Sequence, residues 1–259
     1  MFTPRVALAS LSGEADATWA KNGAVDAGAA FIGGVSLDTA TRDAARRLVD
    51  RGRCEFLPPD PIAFITAELD ALADVTITPG VNVRSTTVQP VRTVGRRCAE
   101  YNAILEINAH CRQDEMCTVG AGESLLQDNR RDRLHELIRA GRAGGAPVSV
   151  KVRAGIDNVD LAAIARTVAD AGGEIIHVDA MDTEVSIERI ATAAPELFII
   201  ANNNVRGHES VREYHEYGAD AVSIGRPSTN QHIRRRVCRA TEDVFETMNT
   251  DTRLSHIQQ

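Results

Sequence analysis

Residues 101–128 read YNAILEINAHCRQDEMCTVGAGESLLQD and indicate the architecture of the chain more directly than any other segment. The apolar run at 103–108 predicts a short buried strand, which ends in a polar cluster that begins at Asn108 and includes Cys111. A loop and the glycine-flanked turn Gly120–Gly122 then lead into a helical pattern. Polar residues just past a strand are typical of parallel α/β folds, which carry their chemistry at the carboxyl ends of the strands.

The same alternation of apolar strand and amphipathic helix continues along the whole chain. Continuous apolar runs are expected of strands that are buried on both faces of a parallel sheet. The predicted strands lie at residues 5–11, 29–35, 75–84, 103–108, 147–153, 174–180, 197–202 and 220–225. Eight such units predict an α/β fold of the (β/α)8 TIM-barrel type, with an open doubly wound sheet as the alternative.

No linker, low-complexity run or shift in composition divides the 259 residues. We therefore expect a single domain over residues 1–259, with a barrel over about 5–228 and a short closing helix over about 230–248. An additional helix is predicted at 58–73, before the third strand. The pair Gly172-Gly173 predicts the end of a later helix.

Composition limits the classes of partner and site. The net charge of −7 disfavours broad non-specific binding of nucleic acid, because phosphate affinity needs clustered cations. Of the 29 basic residues only Lys21 and Lys151 are lysines, so Lys151 stands out. The five cysteines form no C-x-x-C pair, which indicates reduced thiols. His110, Cys111 and Cys117 match no standard metal spacing, and no metal is expected.

The chain also lacks the sequence features of membrane and exported proteins. No run of about 18 apolar residues is present, and the start MFTPRVALASLSGEADA shows no basic segment followed by an apolar one. We expect a cytoplasmic protein that does not cross a membrane. Its oligomeric state is not predicted.

Polar side chains follow nearly every predicted strand. They are Ser10, Ser12, Asn82, Arg84, Asn108, His110, Cys111, Lys151, Arg153, His177, Asp179, Asn202, Asn203, Asn204 and Arg226. Each of these residues could instead have a purely structural role. His177 could be a buried histidine with its hydrogen bonds made inside the protein, Lys151 could pair with Glu106, and the asparagines could form a left-handed turn. Because the carboxyl ends of barrel strands meet at one rim, their convergence predicts an active site. Backbone amides near Asn202 and Gly225 predict a phosphate site there.

In these residues the chain resembles the flavin-dependent dihydrouridine synthases and, more distantly, the dihydroorotate dehydrogenases. The family pattern Asn-x-Gly-Cys-Pro followed by Gly-x-Gly-x-x-Leu-Leu is similar to residues 108–112 and 120–126. VSVKVRAG supplies Lys151 and Arg153 at the matching positions, and IIHVDAM supplies His177. IIANNNV and SIGRP resemble the family's phosphate-binding segments.

The resemblance implies FMN as cofactor, with NADPH or NADH as reductant, although no dinucleotide fingerprint is present. The implied cofactor-binding residues are Asn82, Lys151, His177, Asn202, Asn203, Gly225 and Arg226. Cys111 would give a proton to uracil C5 while hydride reaches C6, with Asn108 and Arg153 on the substrate. The implied reaction converts uridine in tRNA to dihydrouridine, and a cation near the flavin ring and a thiol donor suit it chemically.

The sequence departs from the family pattern at several positions. His110 and Arg112 replace the glycine and proline around the cysteine, and Asn203-Asn204 replaces Gly-Asp. The helical domain with which the synthases grip tRNA has no counterpart here, and the run Arg234–Arg236 is a weak substitute.

Three alternatives therefore stay open beside the tRNA enzyme. The first is a flavin oxidoreductase that acts on a small pyrimidine, of the dihydroorotate or dihydropyrimidine dehydrogenase type. The second is a non-catalytic barrel that binds flavin or phosphate. The third is a barrel without flavin in which Lys151 forms a Schiff base.

Overall fold

Eight parallel strands pair in chain order and close into a barrel in the computed structural model, which describes residues 1–246. The strands are β1 (Val6–Leu8), β2 (Ala29–Ser36), β3 (Thr78–Arg84), β4 (Ile104–Asn108), β5 (Val148–Arg153), β6 (Ile175–Asp179), β7 (Phe198–Asn202) and β8 (Ala221–Ile224). β1 pairs with both β2 and β8, so no sheet edge is left open. The predicted TIM barrel is confirmed, and the open sheet is excluded.

Helices surround the barrel. They are α1 (Ala17–Gly23), α2 (Thr39–Asp50), α3 (Pro61–Leu72), α4 (Val88–Glu100), α5 (Asp114–Thr118), α6 (Arg131–Gly144), α7 (Leu161–Asp170), α8 (Val185–Ala193), α9 (His208–Glu216) and α10 (Gln231–Thr241). Tighter 3₁₀ turns cover Gly122–Leu126, Asp128–Arg130 and Arg226–Thr229, and a π turn covers Glu242–Glu246. In residues 1–246 no helix is both long and apolar enough to cross a bilayer.

The additional helix before the third strand is present as α3. Asp60 caps it by accepting hydrogen bonds from the backbone N–H groups of Ile62 and Ala63, and Pro61 stands at its first position. The predicted end at Gly172-Gly173 is also confirmed, because Gly172 adopts a left-handed φ of 86° directly after α7.

Two strand boundaries differ from the prediction by three residues, and the other differences are one residue each. β1 ends at Leu8 rather than at residue 11, because the backbone turns there, with Ala15 N–H donating to the Leu11 carbonyl. β3 begins at Thr78 rather than at residue 75, because Val75 N–H donates to the Leu72 carbonyl and continues the turn after α3. The closing helix is α10, and the predicted end at residue 248 lies outside the described residues.

The barrel interior changes from apolar to polar along its axis. Side chains at alternate strand positions share one face, so Ile104, Glu106 and Asn108 of β4 point inward in succession. At the amino end of the barrel lies a buried apolar layer: Phe2, Ala7, Ala29, Phe31, Ile104, Ile175, Ile200 and Ala221. Polar inward side chains fill the middle and the carboxyl end: Asn82, Glu106, Ser149, Lys151, His177 and Ser223. The polar groups that could carry chemistry therefore lie in the middle and at the carboxyl end of the barrel.

Candidate active site

Glu106 is the centre of a buried hydrogen-bond network inside the barrel. Its Oε1 accepts from Asn82 Nδ2 at 2.7 Å, and its Oε2 accepts from Ser149 Oγ at 3.2 Å and from His177 Nδ1 at 2.7 Å. Asn82 Oδ1 in turn accepts from Asn108 Nδ2 at 2.9 Å. These bonds join β3, β4, β5 and β6 in one plane across the barrel, so they fix the relative positions of the strand ends.

The protonation states in this network follow from burial and hydrogen bonding. Burial raises the pKa of Glu106, but His177 and the charge of Lys151 outweigh that effect and hold it below its usual value. Burial lowers the pKa of His177, so the ring is neutral and its Nδ1–H donates to the Glu106 carboxylate. His177 Nε2 then accepts from Ser223 Oγ at 2.7 Å, and that oxygen accepts from Asn202 Nδ2 at 2.6 Å.

Lys151 projects into the barrel beside these groups. Its strand neighbours are Asn108 on β4 and His177 on β6, and the residue is only 5% exposed. Burial lowers its pKa, while Glu106 and Asp179 partly restore it. Within residues 1–246 its ammonium group has no hydrogen-bond partner. A buried cation without such a partner is costly, which indicates that a ligand group completes its surroundings.

His110 and Arg153 each pair with a carboxylate near Lys151. His110 Nε2 lies 2.8 Å from Asp179 Oδ2, and Arg153 Nε donates to Glu123 Oε2. Burial lowers the pKa of His110, the Asp179 hydrogen bond raises it, and the charge of Lys151 lowers it again. The rim therefore has a histidine–carboxylate pair at a position where the sequence departs from the family pattern.

Cys111 lies on another side of the rim. Asn108 Oδ1 accepts from its backbone N–H at 2.9 Å, which shapes the loop after β4. The Arg84 guanidinium lies nearby and donates to Glu55 Oε2 and to Ser12 Oγ, each at 2.6 Å. Burial lowers the pKa of Arg84, but Cys111 and Glu55 outweigh this effect and raise the pKa above its usual value. Cys111 also packs against an apolar cluster of α2 and α5, namely Ala44, Ala45, Leu48 and Met116.

The ends of β7 and β8 form an open backbone surface. Asn203 and Asn204 adopt left-handed φ angles of 101° and 48°, and Tyr214 donates its hydroxyl to the Asn203 carbonyl at 2.9 Å. An added Cβ at Gly225 would meet nothing within 4 Å, and the neighbouring Arg226 is exposed. This arrangement leaves room for an anion at the predicted phosphate position.

Four residues of the site were not assigned a site role from the sequence. Glu106 was considered only as an ion-pair partner of Lys151, but its oxygens bind other groups. Ser149 and Ser223 complete the network, and Glu55 binds Arg84 from a loop. The strand alternation could have identified the first three, because each lies two residues before a predicted site residue, namely Asn108, Lys151 or Gly225.

Among residues 1–246, no three His, Cys, Asp or Glu side chains are arranged to hold a metal ion. Cys117 Sγ instead donates to the Cys111 carbonyl at 3.5 Å.

Comparison with known proteins identifies the family. The model of the dihydrouridine synthase (Dus) family matches residues 81–237, which is more than half of the chain. The chain belongs to the dihydrouridine synthase family. The match runs from β3 to α10 and contains Lys151, Cys111 and the Glu106 network. Membership of the Dus family makes the protein a flavin-dependent oxidoreductase.

This Dus protein is similar to one sequence relative and, in its fold, to a solved structure. The uncharacterized protein MJ0144 of Methanocaldococcus jannaschii is 26% identical over 238 residues, covering 86% of this chain and 88% of its own. A DHODH from Eimeria tenella, solved in complex with ferulenol, is 14% identical with a TM-score of 0.69. That alignment covers 96% of this chain and 82% of the DHODH, and it shows a shared fold.

The rim residues of this Dus protein fit FMN. The Lys151 ammonium lacks a partner where an electron-rich ring edge would lie, and a cation there stabilises a reduced flavin. The open backbone at Gly225 and the left-handed turn at Asn203 suit a phosphate. Asn82 and His177, by contrast, are fully buried and bound to protein partners. Their predicted contact with the cofactor stays a prediction.

Proposed function

We propose that this protein uses FMN to reduce the C5–C6 double bond of a uracil base, and that the base is a uridine in tRNA. The observation that carries the proposal is Lys151, a mostly buried lysine whose ammonium group has no hydrogen-bond partner among residues 1–246 and which lies inside the segment that matches the family. An anionic ring edge would supply the missing partner.

The chain's own residues would bind and orient the two reactants. Lys151 would hold the cofactor ring, while Gly225 and Arg226 would hold its phosphate. Asn108 fixes the loop over the pyrimidine, since its Oδ1 already accepts from His110 and Cys111 N–H groups. Arg153 would offer its free N–H groups to a uracil carbonyl. When bound, reduced FMN supplies the hydride to C6, with NADPH or NADH as the source of electrons.

A small pyrimidine is the second candidate substrate, and the placement of the arginine run favours it. Arg234 is only 5% exposed and donates to the Ser228 carbonyl at 2.6 Å. Arg234 and Arg235 both pair with Asp26, and Arg236 donates to the Arg206 carbonyl. These guanidinium groups stabilise the closing helix and offer little to an RNA backbone, and the net charge of −7 opposes RNA binding.

The cofactor is tested first, with the two lysines of the chain as a matched pair. Purified wild type is expected to be yellow and to release FMN in nearly stoichiometric amount. Lys151→Met should bind FMN at least tenfold more weakly by fluorescence titration, whereas Lys21→Met, an exposed position on α1, should not change the affinity. A colourless wild type that also fails to bind added FMN would contradict the proposal.

The substrate is tested with tRNA from a strain that lacks dihydrouridine, and in parallel with free uracil, uridine and dihydroorotate. Reaction products are measured by mass spectrometry with NADPH and then with NADH. Dihydrouridine in the tRNA supports the first candidate. Turnover of the small pyrimidines without modification of tRNA assigns the second.

A further inference from the structure

The loop after β4 presents a histidine to the barrel mouth. Asn108 Oδ1 accepts from the backbone N–H groups of His110 at 3.2 Å and Cys111 at 2.9 Å, which fixes both residues relative to the strand end. The His110 side chain is 32% exposed, so part of the ring is open to solvent. A ring held in this way can meet a ligand bound above the strands.

Asp179 orients the ring. Its carboxylate Oδ2 lies 2.8 Å from His110 Nε2, and burial, which raises the Asp179 pKa, is outweighed by this hydrogen bond and by the charge of Lys151. Asp179 is therefore ionised and accepts the Nε2 proton. Nδ1 of His110 has no hydrogen-bond partner among residues 1–246 and is left for a ligand. Histidines that act as general acids or bases commonly have this arrangement, in which a carboxylate binds one ring nitrogen and the other nitrogen faces the substrate.

The charged groups around His110 place it beside the cofactor position. From β5 it is faced by Lys151 and Arg153, and from β6 by Asp179 and the buried His177. Cys111 has different neighbours, namely Arg84 and the apolar cluster of α2 and α5. The contacts of His110 therefore include the groups around Lys151, whereas the contacts of Cys111 do not.

We propose that His110, oriented by Asp179, exchanges the proton at C5 of the pyrimidine in this protein. The proposal rests on the function proposed above and assigns the proton step to a residue other than Cys111. In the reduction, hydride with its two electrons reaches C6 from the reduced flavin, the π bond breaks, and the proton on His110 Nδ1 goes to C5. The ring is left neutral and regains a proton from water. In the reverse oxidation, neutral Nδ1 takes the C5 proton.

The direction of the pH dependence separates a histidine from a thiol. A histidine donor must be charged, so reduction slows as the pH rises through the His110 pKa, which burial holds below 6.5. Oxidation of the dihydropyrimidine should speed up across the same range. A cysteine donor would keep its proton up to about pH 8.5, so reduction would stay constant through neutrality.

The test compares four variants of the full chain loaded with FMN. His110→Gln keeps a donor for Asp179 but cannot titrate, and it should lower kcat about 100-fold or more while FMN affinity stays within twofold. Asp179→Asn should lower both kcat and the kinetic pKa. Cys111→Ser should keep kcat within about tenfold, and His135→Asn, on α6, should not change it. A His110→Gln enzyme at the wild-type rate, with loss in Cys111→Ser, would overturn the proposal.

A second measurement does not depend on turnover. The imidazole nitrogens are followed by NMR, with His110→Gln identifying the His110 signals. We expect the His110 pKa to fall in Asp179→Asn and its Nδ1 signal to move when uridine monophosphate is added. A wild type without flavin or turnover refutes the proposed function, whereas unmoved Nδ1 signals in an enzyme that turns over refute only the assignment to His110.

Discussion

At the scale of single residues, Glu106 determines the shape of the upper barrel. It accepts hydrogen bonds from Asn82, Ser149 and His177, which come from three different strands. Glu106, Asn82, Ser149 and His177 are all fully buried, so water does not replace the carboxylate as acceptor. The residue therefore contributes to stability and to the geometry of the rim at the same time.

Removing the Glu106 carboxylate should strongly destabilise the folded protein. Glu106→Ala leaves several buried donors without a partner and is expected to lower the free energy of unfolding by about 3–5 kcal/mol. The measurement is urea unfolding followed by circular dichroism. Glu100→Ala is the control, because Glu100 pairs only with exposed Arg97 on the surface of α4. A loss below about 1 kcal/mol in Glu106→Ala would contradict the role assigned to the network.

Gly122 allows the loop that carries Cys111 to pack closely against the backbone at residue 122. Its φ is +62°, and an added Cβ would lie 2.2 Å from the Cys111 carbonyl oxygen. Gly122→Ala should displace that loop and increase the rate of Cys111 alkylation by iodoacetamide several-fold. Gly52→Ala is the matched control, with a φ of +82° and nothing within 4 Å of its Cβ. The control should cost about 1–2 kcal/mol of backbone strain without changing the alkylation rate.

The sequence predicted which residues reach the rim but not what each one binds. Alternation along a strand places Asn108 at the carboxyl end of β4 and Lys151 two residues before the end of β5, with both residues buried. The contact between Glu55 and Arg84 joins residues 29 apart through a loop of irregular conformation. Such a contact depends on loop geometry, which has no periodic signal in the sequence.

At the scale of elements, the β4 segment was predicted well because both its strand and its turn have strong local signals. The short helix α5 was expected to be a loop, since a five-residue segment, Asp114–Thr118, is too short to show helical periodicity. It forms because its apolar residue Met116 packs against α2. Tertiary contact, and not propensity, decides such short elements.

Asp38 couples α2 to the loop after β3 and should make that contact sensitive to acid. It caps α2 through Thr41 N–H at 2.9 Å and accepts from Ser85 Oγ at 2.8 Å. Burial raises its pKa, but hydrogen bonds from Thr41 and Thr86 hold the pKa below 3.8. Because the folded-state pKa is lowered, the stabilisation is present above pH 3.8 and is lost as the pH falls through the folded-state value.

The expected result is a change in acid unfolding. Asp38→Asn should be less stable than wild type at pH 7, and the difference between them should shrink as the pH falls below about 3.8. Thermal unfolding at several pH values measures this. Asp43→Asn, an exposed position on the same helix, should show no such trend. A constant difference across the acid range would exclude a role for the Asp38 charge.

At the scale of the whole molecule, the two ends of the barrel differ in composition: the amino end is apolar and the carboxyl end is polar. The amino end is closed by Phe2, which is 4% exposed and lies edge-on to Phe198 with ring centroids 5.6 Å apart. The carboxyl end carries the polar rim. The closed barrel itself was predictable, because eight repeats of strand and helix leave few other arrangements.

This separation predicts that a substitution at the amino end lowers stability without changing the flavin site. Phe2→Ala should lower the free energy of unfolding by about 3–5 kcal/mol, since it removes a buried aromatic ring and leaves a cavity. Its affinity for FMN, measured under native conditions, should equal that of wild type, because the rim is at the opposite end. A weakened flavin site in a folded Phe2→Ala protein would show that the two ends are coupled.

The buried Lys151 should make the flavin-free protein less stable than the loaded one, and so more easily degraded. Burial of the Lys151 charge is only partly offset by Glu106 and Asp179, and a bound anion would stabilise the folded chain further as its free concentration rises above its Kd. The abundance of the protein would then follow the vitamin supply of its cell, because proteases remove the starved form first. With Lys151 in its proposed cofactor-binding role, the amount of folded protein would report the riboflavin supply of the cell.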